Sequence, residues 1–215
     1  MESGRQPGGK TRLRAAHVDA THANLGESEL TTPKLNLRNQ LTAIDEQAGV
    51  HHRTIVKSLV CKDEAATRLF AGALAAQDAL RDCFIELHGE LGAGKTTLVR
   101  YLLQALGITG RVKSPTYAVV EPYELPPTPA NPAALAIWHF DFYRFNDPRE
   151  WEDAGFRDIF AGQGLKLAEW PDKAAAFLPL ADLVLRIAVL PNAERQIQLI
   201  AQTPVGAALI ARVPA

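Results

Sequence analysis

Cysteine is scarce: Cys61 and Cys83 are the only two in 215 residues. They lack metal-ligand spacing and stand beside predicted strands, so both are expected as small buried apolar side chains in a reducing compartment. Long apolar runs are missing too. No stretch approaches the length of a bilayer-crossing helix, and the first residues lack the unbroken apolar core of a secretion signal, which points to a cytoplasmic protein with no membrane partner. Nor does either charge dominate. With 23 Lys and Arg against 24 Asp and Glu, the formal net charge is −1, so net charge does not support a polyanion-binding surface or direct contact with DNA or tRNA. An apolar content of 47% excludes a chain disordered throughout. No internal repeat is found.

Residues 1–53 lack a sustained apolar period and are rich in Gly, Thr, Asn, Arg, Glu and Gln. Such a segment buries too little to offset the entropy of ordering, so a mostly disordered extension is expected there, followed by one domain over residues 54–215. Arg5, Lys10, Arg12 and Arg14 in the extension are interspersed with acids farther along and read as a solvated tail. His51 and His52 are adjacent, which is poor geometry for two metal ligands on one helix face.

What the chain does have is Gly89-Glu90-Leu91-Gly92-Ala93-Gly94-Lys95-Thr96, which fits G-x-x-x-x-G-K-[ST] at every fixed position. Glycines let backbone N–H groups close around an oxyanion, the lysine adds a mobile positive charge, and the hydroxyl of Thr96 can ligate magnesium. The candidate phosphate-binding residues are therefore Glu90, Leu91, Gly92, Ala93, Gly94, Lys95, Thr96 and Thr97. Context supports the match. Cys83-Phe84-Ile85-Glu86-Leu87 suits a buried strand, and Leu98, Leu102 and Leu106 follow at helical spacing before Gly107. A Gly-rich turn that binds nothing would not require this strand, loop and helix order.

Elsewhere, residues 54–60 form a β-branched run. A helix follows, with Asp63 near its start and Ala66, Leu69, Phe70, Ala73 and Leu74 supplying an apolar face. Residues 111–117 read as a polar loop, in which Pro115 keeps Ser114 extended, and 118–123 as a strand. Four prolines within residues 125–134 mark a surface loop. Residues 135–141 and 165–169 are apolar strands, each ending in an acid, Asp141 and Glu169. Between them, Asn146-Asp147-Pro148 starts a helix packed through Trp151, Phe156, Ile159 and Phe160, and Asp172 is expected to cap a further helix. Residues 183–189 and 196–201 read as an antiparallel hairpin, and 205–213 as a last short helix. The fold class is α/β: a P-loop NTPase-like sheet of mixed parallel and antiparallel strands, flanked by helices, with a C-terminal antiparallel hairpin.

A phosphate cradle becomes an NTPase site when an acid fixes magnesium and another group positions the attacking water or hydroxyl. Ligands of open α/β sheets lie outside the carboxyl ends of parallel strands, where Asp141 and Glu169 fall. Asp141 is the natural magnesium-side acid, with turn capping or pairing to Arg144 as the structural alternative. Glu169 is the candidate for organising water and counts with Thr96 and Asp141 as a possible magnesium ligand; an ordinary surface acid is its alternative. Ser114 and Thr116 sit on a loop able to sense a γ-phosphate, or on a plain Ser-Pro turn.

Four motifs in this order, residues 89–97, Lys113-Ser114-Pro115-Thr116-Tyr117, His139-Phe140-Asp141-Phe142-Tyr143-Arg144 and Glu169-Trp170-Pro171, resemble the bacterial TsaE-type family over about residues 54–201. Members of that family are small P-loop ATPases of tRNA threonylcarbamoyladenosine biosynthesis. The resemblance implies that ATP and Mg2+ are the cofactors, that Lys95 contacts the phosphates, that Thr96 and Asp141 hold magnesium, that residues 114–117 act as a switch, and that Glu169 and Trp170 are catalytic. It also implies a threonylcarbamoyl-transferase subunit and its paralogous scaffold as partners, with tRNA reached only through their complex and ATP hydrolysis resetting the assembly. The extension, the Pro-rich loop and the segment after Thr203 depart from the family pattern and bear on the partner surface. Two other readings remain open from the residues alone: a nucleotide-gated interaction module, and a small-molecule kinase. The kinase reading lacks an arginine-rich lid after Asp141, where only Arg144, Arg149 and Arg157 occur.

Overall fold

The computed structural model describes residues 55–129 and 132–213. The expectations for the extension, His51, His52 and Thr54, and for the middle of the Pro-rich loop, lie outside these residues. In chain order the elements are β1 (Ile55–Cys61), α1 (Glu64–Ala75), β2 (Cys83–His88), α2 (Lys95–Leu106), β3 (Val120–Leu125), β4 (Leu135–Asp141), α3 (Pro148–Asp153), α4 (Phe156–Ala161), β5 (Leu165–Glu169), β6 (Leu183–Val189), β7 (Arg195–Ala201) and α5 (Pro204–Ala211). Seven strands make one sheet in the order β1-β7-β6-β2-β5-β4-β3. Strands β6, β2, β5 and β4 run parallel, so their carboxyl ends share one edge. The outer strands are antiparallel, and β6 with β7 forms the expected hairpin, Leu183 facing Ala201 and Val189 facing Arg195.

Burial follows from this order. Strand β5 is buried along its whole length and β2 nearly so, as suits apolar strands covered on both faces. Strand β3 lies at an edge, which tolerates Pro122. One core unites Phe70, Leu74, Ile85, Leu98, Leu102, Leu167 and Leu209 between the sheet and helices α1, α2 and α5. The other is aromatic: Phe84, Phe140, Phe142, Trp151 and Phe156 pack under α3 and α4. Cys61 and Cys83 are both free and buried. Among the described residues, no helix is long and apolar enough to cross a membrane.

Local caps act as their residue types dictate. The Asp63 side chain accepts from the Ala66 amide at 2.7 Å to start α1. Gly107, at φ 107°, ends α2 in the left-handed conformation. Four expectations are corrected. The helix begun at Asp147 breaks at Gly155, φ 68°, into two six-residue pieces. Strand β3 begins at Val120 because Val119 turns the chain at φ 66°. Leu69 points outward, 76% exposed, because Thr67, Phe70, Ala71 and Leu74 set the inward face of α1. Asp172 caps nothing: Trp170 at φ 56° leads into a four-residue 3-10 turn, Pro171–Ala174, and the Asp172 carboxylate lies 3.4 Å from His88 Nδ1.

Candidate nucleotide site

Strand β2 ends at His88, and residues 89–94 turn the chain into α2. Gly89, Gly92 and Gly94 all take positive φ, at 148°, 80° and 106°, conformations that a side chain resists. The first turn of α2 contains no acid, and Gly94 offers no capping side chain. Its amides therefore face the loop without a side-chain acceptor, the arrangement that receives an anion. Lys95 Nζ donates to the carbonyls of Gly89 at 2.7 Å and Glu90 at 3.0 Å. The same ammonium lies 3.9 Å from the centre of the Trp170 ring. Burial pulls its pKa below the ordinary lysine value, and the negative charges of Glu169, Asp141 and Glu90 oppose that shift. The lysine is thus a dehydrated cation folded back across its own loop.

The acids arrive from two adjacent parallel strands, whose register puts Asp141 directly beside Glu169. Both are 2% exposed. Glu169 Oε2 accepts from the Thr96 hydroxyl at 3.0 Å, and Glu169 Oε1 lies 2.9 Å from His139 Nε2. Asp141 Oδ1 accepts from the Tyr143 amide at 3.0 Å, while Oδ2 accepts from the hydroxyls of Ser114 and Thr116. Asp141 therefore tethers the 111–117 loop and does not pair with Arg144. Arg144 stacks instead over Tyr117, 4.2 Å from the ring centre. Trp170 is held in its left-handed conformation between Lys95 and the ring of Tyr143, whose centre is 5.0 Å away.

Hard oxygen donors, two buried carboxylates and the Thr96 hydroxyl, suit magnesium in kind. Among the described residues, no cluster of three His, Cys, Asp or Glu is placed to hold a metal by itself.

Sequence reasoning named Lys95, Thr96, Ser114, Thr116, Asp141, Glu169 and Trp170, and the fold brings them together. Glu90, Leu91 and Gly92 form the exposed tip of the loop, with Leu91 75% exposed. Ala93 is buried and has only backbone to offer a ligand. Thr97 faces another way, into a cavity of about 170 Å³ lined with Glu64, Thr67, Gly94, Arg195 and Ile197. The motif around Asp141 includes His139 without assigning it a role; its i, i+2 spacing from Asp141 on a strand is the available signal. Glu64 and Arg195 carried no such signal, being far from the motif in sequence.

The family model described as "Threonylcarbamoyl adenosine biosynthesis protein TsaE" matches residues 61–197. The tRNA threonylcarbamoyladenosine biosynthesis protein TsaE of Haemophilus influenzae is 46% identical over 126 residues, spanning 59% of this chain and 75% of the relative. Its counterpart in Bacillus subtilis is 38% identical over 113 residues, 53% of this chain and 66% of the relative. The crystal structure of YdiB from Bacillus subtilis superposes with a TM-score of 0.59 at 26% identity, covering 75% of this chain and 96% of that one.

Proposed function

This chain belongs to the TsaE family of tRNA threonylcarbamoyladenosine biosynthesis, and from that premise we propose that it is a cytoplasmic, magnesium-dependent ATPase supporting threonylcarbamoyl transfer to adenosine-37 of tRNA. The observation that carries the ATPase reading is the joining of the loop hydroxyl, Thr96, to a buried strand-end acid, Glu169, at 3.0 Å, beside a second buried acid and a dehydrated lysine. A loop that merely bound phosphate would not require the two carboxylates.

In this reading the glycine loop and the first turn of α2 receive the phosphates, and Lys95 leaves the Gly89 and Glu90 carbonyls to neutralise them. Thr96 and Asp141, with Glu169 adjacent, would hold magnesium, which when bound would supply charge neutralisation at the transferring phosphoryl group. Glu169 orients the attacking water, and Trp170 covers Lys95 and limits solvent access. The cavity beside Thr97 has the position to take the nucleoside. Partners are the transferase subunit and its paralogous scaffold. Tyr117 (83% exposed), Leu91 and Tyr143 present apolar surface near the site for such contacts, and tRNA is reached through the complex.

The tether from Ser114 and Thr116 to Asp141 favours one second reading, a module switched by ATP binding without turnover. One experiment separates the two: quantification of threonylcarbamoyladenosine in bulk tRNA from cells depleted of this protein and complemented with wild type, Lys95→Ala or Glu169→Ala. Rescue by wild type alone is expected. Rescue by Glu169→Ala as well would favour the gated module, and unchanged modification after depletion would overturn the assignment. In vitro, Lys95→Ala should lose about 1.5–3 kcal/mol of ATP binding, at least about tenfold in affinity. Equal affinity would refute the phosphate role of Lys95.

A further inference from the structure

We propose that His139 is the positioning residue that holds Glu169 in its working orientation, an inference that rests on the ATPase reading. His139 is completely buried. It lies on β4 opposite Leu167 of β5, so Glu169 is two residues further along the neighbouring strand, within reach of a diagonal contact. Ile137, two residues before it, belongs to the apolar core with Ile85 and Leu167, where an aliphatic side chain would be the ordinary occupant. The imidazole is poorly suited to that place: its Nδ1 has no hydrogen-bond partner. A buried polar atom left unpaired costs stability, so the ring is not explained by packing.

Its other nitrogen explains it. Nε2 lies 2.9 Å from Glu169 Oε1, and a carboxylate only accepts, so Nε2–H donates. That bond commits one oxygen of Glu169 and leaves Oε2 directed at Thr96, 3.0 Å away at the first turn of α2. Without the donor, Oε1 would be buried with no partner, and the carboxylate would turn to find one. His139 touches neither the loop nor Thr96 by any hydrogen bond, so it acts through Glu169.

The test compares His139→Leu and His139→Gln in the full chain, assayed for ATP turnover with its transferase partners, for nucleotide affinity and for Tm. For His139→Leu we expect kcat to fall about 10- to 100-fold, as for loss of an outer-shell orienting partner. Nucleotide affinity should change by less than about threefold, the pattern of an interaction felt in the chemical step. His139→Gln, whose amide reaches about as far as Nε2, should restore most of kcat. In a Glu169→Ala background, His139→Leu should have no further effect on turnover, since nothing remains to be positioned. Unchanged kcat in His139→Leu, or an equal loss in the Glu169→Ala background, overturns the inference. A fall in Tm and affinity that His139→Gln does not reverse also overturns it, in favour of a structural role. Should the leucine variant fail to fold, His139→Asn serves: its amide is too short, so equal kcat for Asn and Gln variants would overturn the proposal. Absence of turnover in wild type sinks the ATPase reading and this inference together, whereas an unaffected His139→Leu sinks the inference alone.

Discussion

Gly89 and Gly92 occupy the same loop, both with positive φ, yet substitution to alanine should act on different properties. A Cβ on Gly89 would lie 2.4 Å from the Ile187 carbonyl oxygen and 3.2 Å from Ala93 Cβ. Carbon and oxygen approach comfortably at about 3.3 Å, so the end of β2 and strand β6 would have to separate by about 1 Å. Holding a side chain at φ 148° costs about 1–3 kcal/mol, and forcing the overlap costs about as much again, which makes about 2–6 kcal/mol for Gly89→Ala. At Gly92, φ 80°, nothing beyond its own chain neighbours lies within 4 Å of the added Cβ among the described residues. Only the backbone cost of about 1–2 kcal/mol remains. Urea unfolding of both variants gives the difference directly, and calorimetry should show Tm falling about 2–4 °C per kcal/mol for a domain of this size. Nucleotide titration completes the comparison: Gly92→Ala, the less destabilised of the two, should lose affinity because its methyl group meets the ligand alone. Equal destabilisation by the two substitutions would refute the argument that Gly89 is required by its contact with β6.

Asp141→Asn keeps an acceptor for the Tyr143 amide but puts an NH2 donor in place of Oδ2, so the hydroxyls of Ser114 and Thr116 lose the carboxylate oxygen to which they donate. A loss of about 1 kcal/mol should speed hydrogen exchange across residues 114–119 roughly fivefold, and unaltered exchange would contradict the tether. Lys166 is buried, and that burial draws its pKa below 10.5, against the pull of Asp82 and Asp182. Between the folded value and 10.5 the unfolded chain binds more protons, so this group's share of stability is whole above 10.5 and is lost as pH falls through the folded value. Wild type should therefore gain stability relative to Lys166→Met as pH rises through that window, as read by urea unfolding; a gap independent of pH would refute the shift.

Several features of the fold and site were readable because their signals are local. Glycine spacing places the loop, Asp63 and Gly107 bound helices through backbone chemistry, and apolar runs ending in acids mark parallel strands whose ends share one edge. The errors arise where a distant partner outweighs local preference. Leu69 fits a helical apolar stripe, but the sheet lies on the side of Phe70 and Leu74. The helix after Asp147 has the right apolar spacing, yet Gly155 turns left-handed and α4 packs Phe156 among the aromatic rings of β4. Asp172 looks like a cap, but the left-handed turn at Trp170, set by Lys95 and Tyr143, leaves too short a helix to cap.

By itself the sequence determined the glycine-rich loop between strand and helix, the mixed α/β class, the C-terminal hairpin and the identities of the two strand-end acids. Each is read from short runs of the chain and their order, where spacing translates into periodicity, turn geometry or capping. Tertiary structure alone decided what those acids hold. The register of β4 on β5 brings Glu169 to His139 and sets Asp141 beside it; the loop crossing from α2 to β3 delivers the hydroxyls of Ser114 and Thr116. Lys95 likewise turns back on the carbonyls of Gly89 and Glu90 under Trp170, a residue 75 positions later, because the end of β5 sets that ring over the ammonium and shields it from water.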